Sequence, residues 1–486
     1  MISTKHNVAC LMLATFLSVS SVTVIAQGLV TKTIKGNVSA NGVGVENVPV
    51  TDGVNYVYTD AKGNYSIVSQ VSGKFVYIST PSAYNVSLEN GSIPQYYQAL
   101  DDDKDAYNFQ LTKNTKNGKK HSFIVQADAQ VTSKKDLKQY QSIVTDIKNT
   151  VRLMDGWDVF GFDCGDIVGD SPWLFPDYIK ETSSLNLPFF RVVGNHDMDY
   201  YGRTHETSHL TFEKYFGPDH YSFNRGDAHY IVINNNFFVG RDYFYMGYVD
   251  EVTFQWLEQD LKNVPKESLV FVFMHIPASL TPETKPFVYD YMTIADQTVN
   301  AGAFKDFFKD YNVHLITGHM HYNLNIEASD KFYEHNTASA CGTWWQVPEC
   351  MDGAPRGYAV YEVDGSDVSW YYKGAEHDRD YQMRVYSIGE CEEYPDDVVA
   401  NVWNYDSKWN VELLEDGKVT SNIERFTGYD PLSKEHCNDR SKIKYEWIYP
   451  MQNLHMFHAT PKNPNAKLQV RVTDRFGNVY VQDVKK

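Results

Sequence analysis

A chain of 486 residues exceeds one ordinary domain, so about two to four packed units are expected. Hydrophobic residues make up 42%, enough for packed cores and too many for a disordered chain. The formal charge of −18 argues against a sequence-independent hold on nucleic acid or on an anionic lipid surface.

At the N-terminus, Lys5 and His6 precede an apolar, small-residue stretch over residues 8–24, and Val24-Ile25-Ala26 stands before Gln27. This reads as a secretory signal over residues 1–26. A membrane anchor is the competing reading. Ser18, Ser20, Ser21 and Thr23 and the short length weigh against it. Cys10 lies too far upstream of the small-residue site to be a lipidated cysteine, and no other stretch is apolar enough to cross a bilayer. The expectation is an exported protein, in the periplasm or at the cell surface.

Residues 28–115 read as strands and turns: Ile34 to Val38, Val48-Pro49-Val50, Tyr56-Val57-Tyr58 and Phe75 to Ile78, with Asp52-Gly53 and Lys62-Gly63-Asn64 as turns. Short strands at this spacing predict a small β-sandwich. The stretch resembles carboxypeptidase-regulatory or transthyretin-like modules through Gly36, Gly44, Val48, Val50, Asp52, Gly53, Thr59-Asp60 and Gly63-Asn64-Tyr65. That resemblance implies a structural or docking role. A polar linker follows at residues 112–120.

In the middle of the chain, five short runs rich in Val, Ile and Phe each stop at residues able to hold a metal. They stop at Asp128-Ala129-Gln130, Gly165-Asp166, Gly194-Asn195-His196-Asp197, His275, and Gly318-His319-Met320-His321. Such runs read as buried strands. Helical stretches lie between them, at residues 133–147 with Ser133 as a cap, at 252–261 and at 303–311. Strands alternating with helices predict an α/β layered fold, and ligands in such folds bind beyond the carboxyl ends of the strands. Carboxylates, an amide and imidazoles delivered to one rim suit a two-metal hydrolytic centre.

The order Asp-x-His, Gly-Asp, Gly-Asn-His-Asp, His, Gly-His-x-His is the calcineurin-like metallophosphoesterase pattern, and residues 123–321 resemble it in every block but one, where Gln130 stands at the family's His. The resemblance implies a four-layer sandwich over residues 120–341. It implies Asp166 as the bridge between two ions, with Asp128, Gln130 and His321 completing the first and Asn195, His275 and His319 the second. An activated hydroxide would then attack phosphorus. His196 would face the leaving group, as acid or charge stabiliser, with Asp197 orienting it. Gln130 could ligate through its amide oxygen, weakening the first site or favouring manganese or magnesium over zinc or iron. The implied cofactors are two divalent ions (Mn, Fe or Zn), and the implied substrate is a phosphorylated small molecule, glycan or lipid head group. Monoester and diester are not separable, and no nucleic-acid partner is expected.

Past His321 the helical pattern largely stops, and residues 342–486 read as a second β-sandwich whose first strands complete the central sheets. Ala340-Cys341-Gly342-Thr343-Trp344-Trp345 and Asp352 to Tyr358 resemble the C-terminal module that accompanies this phosphoesterase type in exported bacterial proteins. Removing the leader leaves five cysteines. Cys164 reads as a buried thiol, while Cys341 with Cys350 and Cys391 with Cys437 are reasonable pairs by proximity, reduced thiols being nearly as reasonable. Two further readings compete with an active hydrolase. One is a glycan or cell-surface binding protein with a degenerate phosphoesterase domain, the other a structural partner. The near-complete ligand set favours the enzyme, since a degenerate site would be free to lose several ligands.

Overall fold

The computed structural model describes residues 31–485 apart from 71–72, 117, 242–243 and 283–286. The expected leader lies outside the described residues.

Two sheets packed face to face form the centre. The first runs Phe189–Val192, Asp158–Cys164, Lys120–Gln126, Gly357–Asp364, Asp367–Gly374, and the second runs Tyr221–Arg225, Ala228–Val232, Leu269–Phe273, Asn312–Thr317, Phe332–Asn336, Leu324–Ser329. The ligand-bearing strands pair in parallel with their nearest ligand-bearing neighbours, so their carboxyl ends share one rim. Alternation places Phe123 and Val125 between the sheets and Ile124 against the outer helices. Phe123 stacks on Tyr361 at 4.8 Å and meets Phe271 edge-on at 5.0 Å, while Phe162 lies 3.6 Å from Phe273. Phe and Tyr rings thus fill the space between the sheets.

Helices cover both outer faces, which makes four layers. Lys134–Arg152 buries Leu137, Tyr140, Val144 and Ile147 at helical spacing, and Ser133 accepts a hydrogen bond from the Asp136 amide at its start. Glu251–Asp260 and Ala301–Phe307 cover the second sheet. These helices fall within two residues of the starts expected from sequence. Among the described residues no helix is long and apolar enough to cross a membrane.

The described N-terminal region is two small sheets and a two-stranded ribbon, Leu88–Glu89 with Ile93–Pro94, and its core is continuous with the central sandwich, Tyr96 lying 4.6 Å from Tyr221. At the other end, two four-stranded sheets enclose a separate core around Val398, Leu413, Phe457 and Val470. As expected of the first strands past residue 342, Gly357–Asp364 and Asp367–Gly374 belong to the first central sheet. The chain departs from expectation in two places. A helix, Pro431–Asn438, interrupts the β-rich region; Asp430 caps it and Pro431 opens it, a start signal that the aromatic strand pattern around it obscured. All five described cysteines are free thiols. Cys341 and Cys350 sit in different core clusters, facing the Gly342 and Ser339 carbonyls, and Cys391 and Cys437 are likewise separated, so neither expected pair forms.

Candidate metal centre

Three of the five ligand-bearing strands end in a backbone turn that few residues adopt. Asp128, Gln130, Asp166, Asp170, His319 and His321 all have positive φ, between 35° and 74°. Left-handed backbone at side chains with a Cβ is strain, and strain gathered at one rim is characteristic of a functional site. The loops brace one another: the Asp128 amide donates to the Gly165 carbonyl at 3.1 Å and the Gln130 amide to the Asp166 carbonyl at 2.8 Å. Gly194 lets two of them touch, since a Cβ there would lie 2.0 Å from the Asp166 nitrogen.

Asp166 is at the middle of the cluster. Its Oδ1 accepts from the His196 amide at 2.8 Å, and its Oδ2 lies 3.2 Å from His275 Nε2 and 3.1 Å from Gln130 Nε2. His275 Nδ1 donates to the Cys164 carbonyl at 2.8 Å, which turns Nε2 inward, 3.0 Å from Asn195 Oδ1 and 3.2 Å from His319 Nδ1. His319 Nε2 points outward, 3.6 Å from Asp296. On the other flank, Asp128 accepts from the His319 amide at 3.0 and 3.1 Å and lies 3.6 Å from His321 Nε2, while His321 Nδ1 faces the Gly342 carbonyl at 3.2 Å. Ligand atoms of Asp166, His275 and His319 all fall within 4.8 Å of one another.

Burial pushes the Asp128 carboxyl up to about 8, with His275 opposing and Asp166 adding. Burial raises Asp166 too, but the facing His275 and His196 outweigh it and hold this carboxyl below its usual range. The same carboxylate lifts His275 to about 9 against its burial. Burial drops His321 to about 3, which keeps its ring neutral, as a metal ligand must be. Carboxylates and inward-turned imidazoles packed together, beside an Asn195 amide nitrogen that is buried with no hydrogen-bond partner, are a donor set that fits divalent ions.

Of the sequence-derived candidates, Asp128, Asp166, Asn195, His275, His319 and His321 converge on this cluster. Gln130 reaches it with its amide nitrogen foremost, as a donor to Asp166; its Oε1 lies 3.9 Å from the Cys341 thiol. His196 projects at the edge, Nε2 3.9 Å from Asp166, its side chain 21% exposed and so open to a substrate. The expectation that Asp197 orients His196 is corrected. Asp197 is fully buried and accepts from the Val168 and Gly194 amides at 3.0 and 2.9 Å, tying two loops together. Asp170 holds the imidazole instead, Oδ1 to Nδ1 at 2.6 Å. Burial lowers the His196 ring, but Asp166 and Asp170 reverse this and raise it to about 9. Sequence reasoning missed Asp170 and Asp296; the second Gly-Asp at Gly169-Asp170, four residues after Gly165-Asp166, was the available signal for the first.

Trp344 stacks on His321 with ring centroids 4.4 Å apart, and Trp345 is core, its indole donating to the Ala129 carbonyl at 2.9 Å. Arg225 is buried and paired with Asp158 at 3.2 Å. Arg191 is likewise buried against Asp163. His229, His455 and His458 are held by Asp260, Asp352 and Asp397.

Three models of one family match consecutive stretches of the chain: the N terminal of Calcineurin-like phosphoesterase at residues 32–114, Calcineurin-like phosphoesterase at 123–323, and the C terminal of Calcineurin-like phosphoesterase at 334–480. The chain belongs to the calcineurin-like phosphoesterases. It is therefore a hydrolase acting on phosphoester bonds; such phosphoesterases use a binuclear metal centre, and this chain carries candidate ligand groups for one. No curated protein matches it significantly. Among solved structures, it is similar to a dimetal phosphatase from Danio rerio at 13% identity and TM-score 0.37, covering 52% of this chain and 96% of that one. A purple acid phosphatase from yellow lupin (Lupinus luteus) seeds matches at 11% identity and TM-score 0.39, covering 72% and 71%. A 5'-nucleotidase from Candida albicans matches at 14% identity and TM-score 0.33, covering 53% and 52%. At this distance the assignment of this calcineurin-like phosphoesterase rests on the family models.

Proposed function

We propose that the protein is an exported phosphoesterase in which Asp128, Asp166, Asn195, His275, His319 and His321 would hold two divalent ions. The observation that carries this is the Asp166 carboxylate, buried and approached on one side by His275 and His319 and held on the other by the loop that bears Asn195 and His196. Two bound ions would supply Lewis acidity to the phosphoryl oxygens and lower the pKa of water. The chain's own work is positional. His275 and His321 are held through their other ring nitrogens by main-chain carbonyls, so their orientation is set before any ion arrives. His196, its Nδ1 held by Asp170, can give a proton to the departing alcohol oxygen or stabilise charge on it. The imidazole and carboxylate donors suit manganese, iron or zinc. Gln130, with its amide nitrogen inward, makes the Asp128–His321 side the weaker of the two.

Elemental analysis of protein purified with manganese, iron or zinc, combined with assays on p-nitrophenyl phosphate and bis-p-nitrophenyl phosphate, tests this reading. The expected result is two ions per chain and metal-dependent turnover of one or both esters. Metal content near zero and no turnover with any ion would leave the degenerate-domain reading in its place. Export rests on the apolar stretch before Gln27 and is tested by N-terminal sequencing of protein recovered from its natural producer.

A further inference from the structure

Most exposed apolar residues of this chain are scattered, as on any protein surface. Six are not. Trp173, Tyr201, Val288, Tyr289, Tyr291 and Met292 lie on three connecting segments, and each segment follows the carboxyl end of a different ligand-bearing strand. Exposure reaches 69% at Trp173, 88% at Tyr201, 77% at Tyr289 and 62% at Met292. The loops meet around the centre. Asp170, three residues before Trp173, holds His196, and the Tyr200 hydroxyl lies against Asp170. Asp296, at the end of the Tyr291–Asp296 helix, stands 3.6 Å from His319, and Tyr245 meets His319 edge-on at 6.1 Å. Carboxylates and tyrosine hydroxyls of these segments thus lie against the centre, and the exposed Trp, Tyr, Val and Met stand a few residues along the same segments.

Indole and phenol rings with an apolar body and a polar tip are the side chains that settle at a lipid–water boundary. A partner protein or second copy seated on this rim would cap the mouth of the centre, whereas a surface made of the substrate itself would feed it. The net charge of −18 and the inner carboxylates Asp170 and Asp296 disfavour an anionic surface. We infer that the centre draws its phosphoester from a zwitterionic lipid surface, on which Trp173, Tyr201, Tyr289 and Met292 seat. This rests on the phosphoester-hydrolase reading above. In the reaction, a water oxygen bonds phosphorus, the bond from phosphorus to one alcohol oxygen breaks, the proton carried by His196 goes to that oxygen, and a water proton replaces it.

The test uses the manganese-loaded full chain and its Trp173→Ser/Tyr201→Ser/Tyr289→Ser variant. Sedimentation is measured with phosphatidylcholine vesicles, alone or with a minority of phosphatidylglycerol. Turnover is measured on phosphatidylcholine in mixed micelles, on water-soluble glycerophosphocholine and on bis-p-nitrophenyl phosphate. The expected result is binding to pure phosphatidylcholine that weakens with the anionic lipid, faster turnover in micelles than of the soluble headgroup ester, and a micelle-to-soluble rate ratio that falls roughly tenfold or more in the variant. No binding by the wild-type chain, equal binding by the variant, binding without lipid turnover, or a concentration-dependent dimer abolished by the variant would each overturn the inference while bis-p-nitrophenyl phosphate is still hydrolysed. Loss of that soluble activity itself would instead overturn the underlying hydrolase reading.

Discussion

Asp170 grips the His196 imidazole from outside the centre, leaving Nε2 as the atom turned toward Asp166. Asp170→Asn keeps the shape and removes the charge that favours the imidazolium. It should lower turnover roughly 10–100-fold with metal content intact, the usual cost of losing the group that orients a working side chain. The loss should be larger for alkyl than for p-nitrophenyl leaving groups, which need less protonation. Equal loss for both would reduce Asp170 to a loop brace. Gln130→His offers an imidazole where an amide nitrogen now faces Asp166, and should tighten the first site and move its preference toward zinc, as read by competitive metal titration against Gln130→Ala. An unchanged preference with a fully active Ala variant would make Gln130 a space-filler. Residue types and their order were legible in the chain. The roles of Asp170 and Asp197 were not, because which carboxylate meets His196 depends on a tight turn that points Asp197 at the Val168 and Gly194 amides, and adjacency along the chain says nothing of that direction.

Among elements, the apolar runs declared the central strands and the cap at Ser133 declared the first helix. Pairing across long stretches of chain was harder to read. That the first strands past residue 342 return to the central sheets was expected, but nothing local in Gly357–Asp364 names Lys120–Gln126 as its neighbour. The same sheet carries a buried ion pair, Arg191 Nε to Asp163 Oδ2 at 2.8 Å but poorly aligned as a hydrogen bond. Both groups are almost fully enclosed, and burial raises the Asp163 carboxyl while Arg191 and neighbouring donors pull it back. Arg191→Leu strands that carboxylate and should cost about 3–5 kcal/mol in urea unfolding. Arg191→Leu combined with Asp163→Leu should recover much of it. A double variant as weak as the single would mean that the pair holds the strands in register through more than its charges.

Across the whole molecule, buried neutral histidines set the acid limit. Burial holds His121 at about 4 and His314 at about 3, both below the unfolded value of about 6.5. The folded state therefore binds fewer protons than the unfolded chain between these values. Stability from these rings is complete above about pH 6.5 and is lost as pH falls toward 4 and then 3. Urea midpoints taken across that range should drop, and His314→Asn should flatten the lower part of the curve. Truncation tests the shared sheet. A chain ending at residue 341 lacks two of five strands and turns Lys120–Gln126 into an open edge, so it should aggregate, whereas one ending at 381 keeps the sheet. Equal solubility of the two would show the last strands to be dispensable.

That late pairing also orders events during synthesis. By the time His321 has emerged from the ribosome, every candidate ligand exists, but the strand that flanks Lys120–Gln126 has not been made, and it pairs Val125 with Ala359 across a long separation in sequence. Contacts so distant along the chain close slowly. The nascent polypeptide should therefore pass through a stage in which it carries all its metal-binding side chains without a frame to hold them. Loading with ions would then follow release, in whichever compartment the finished chain folds, and the metal it acquires would be set by what that compartment offers.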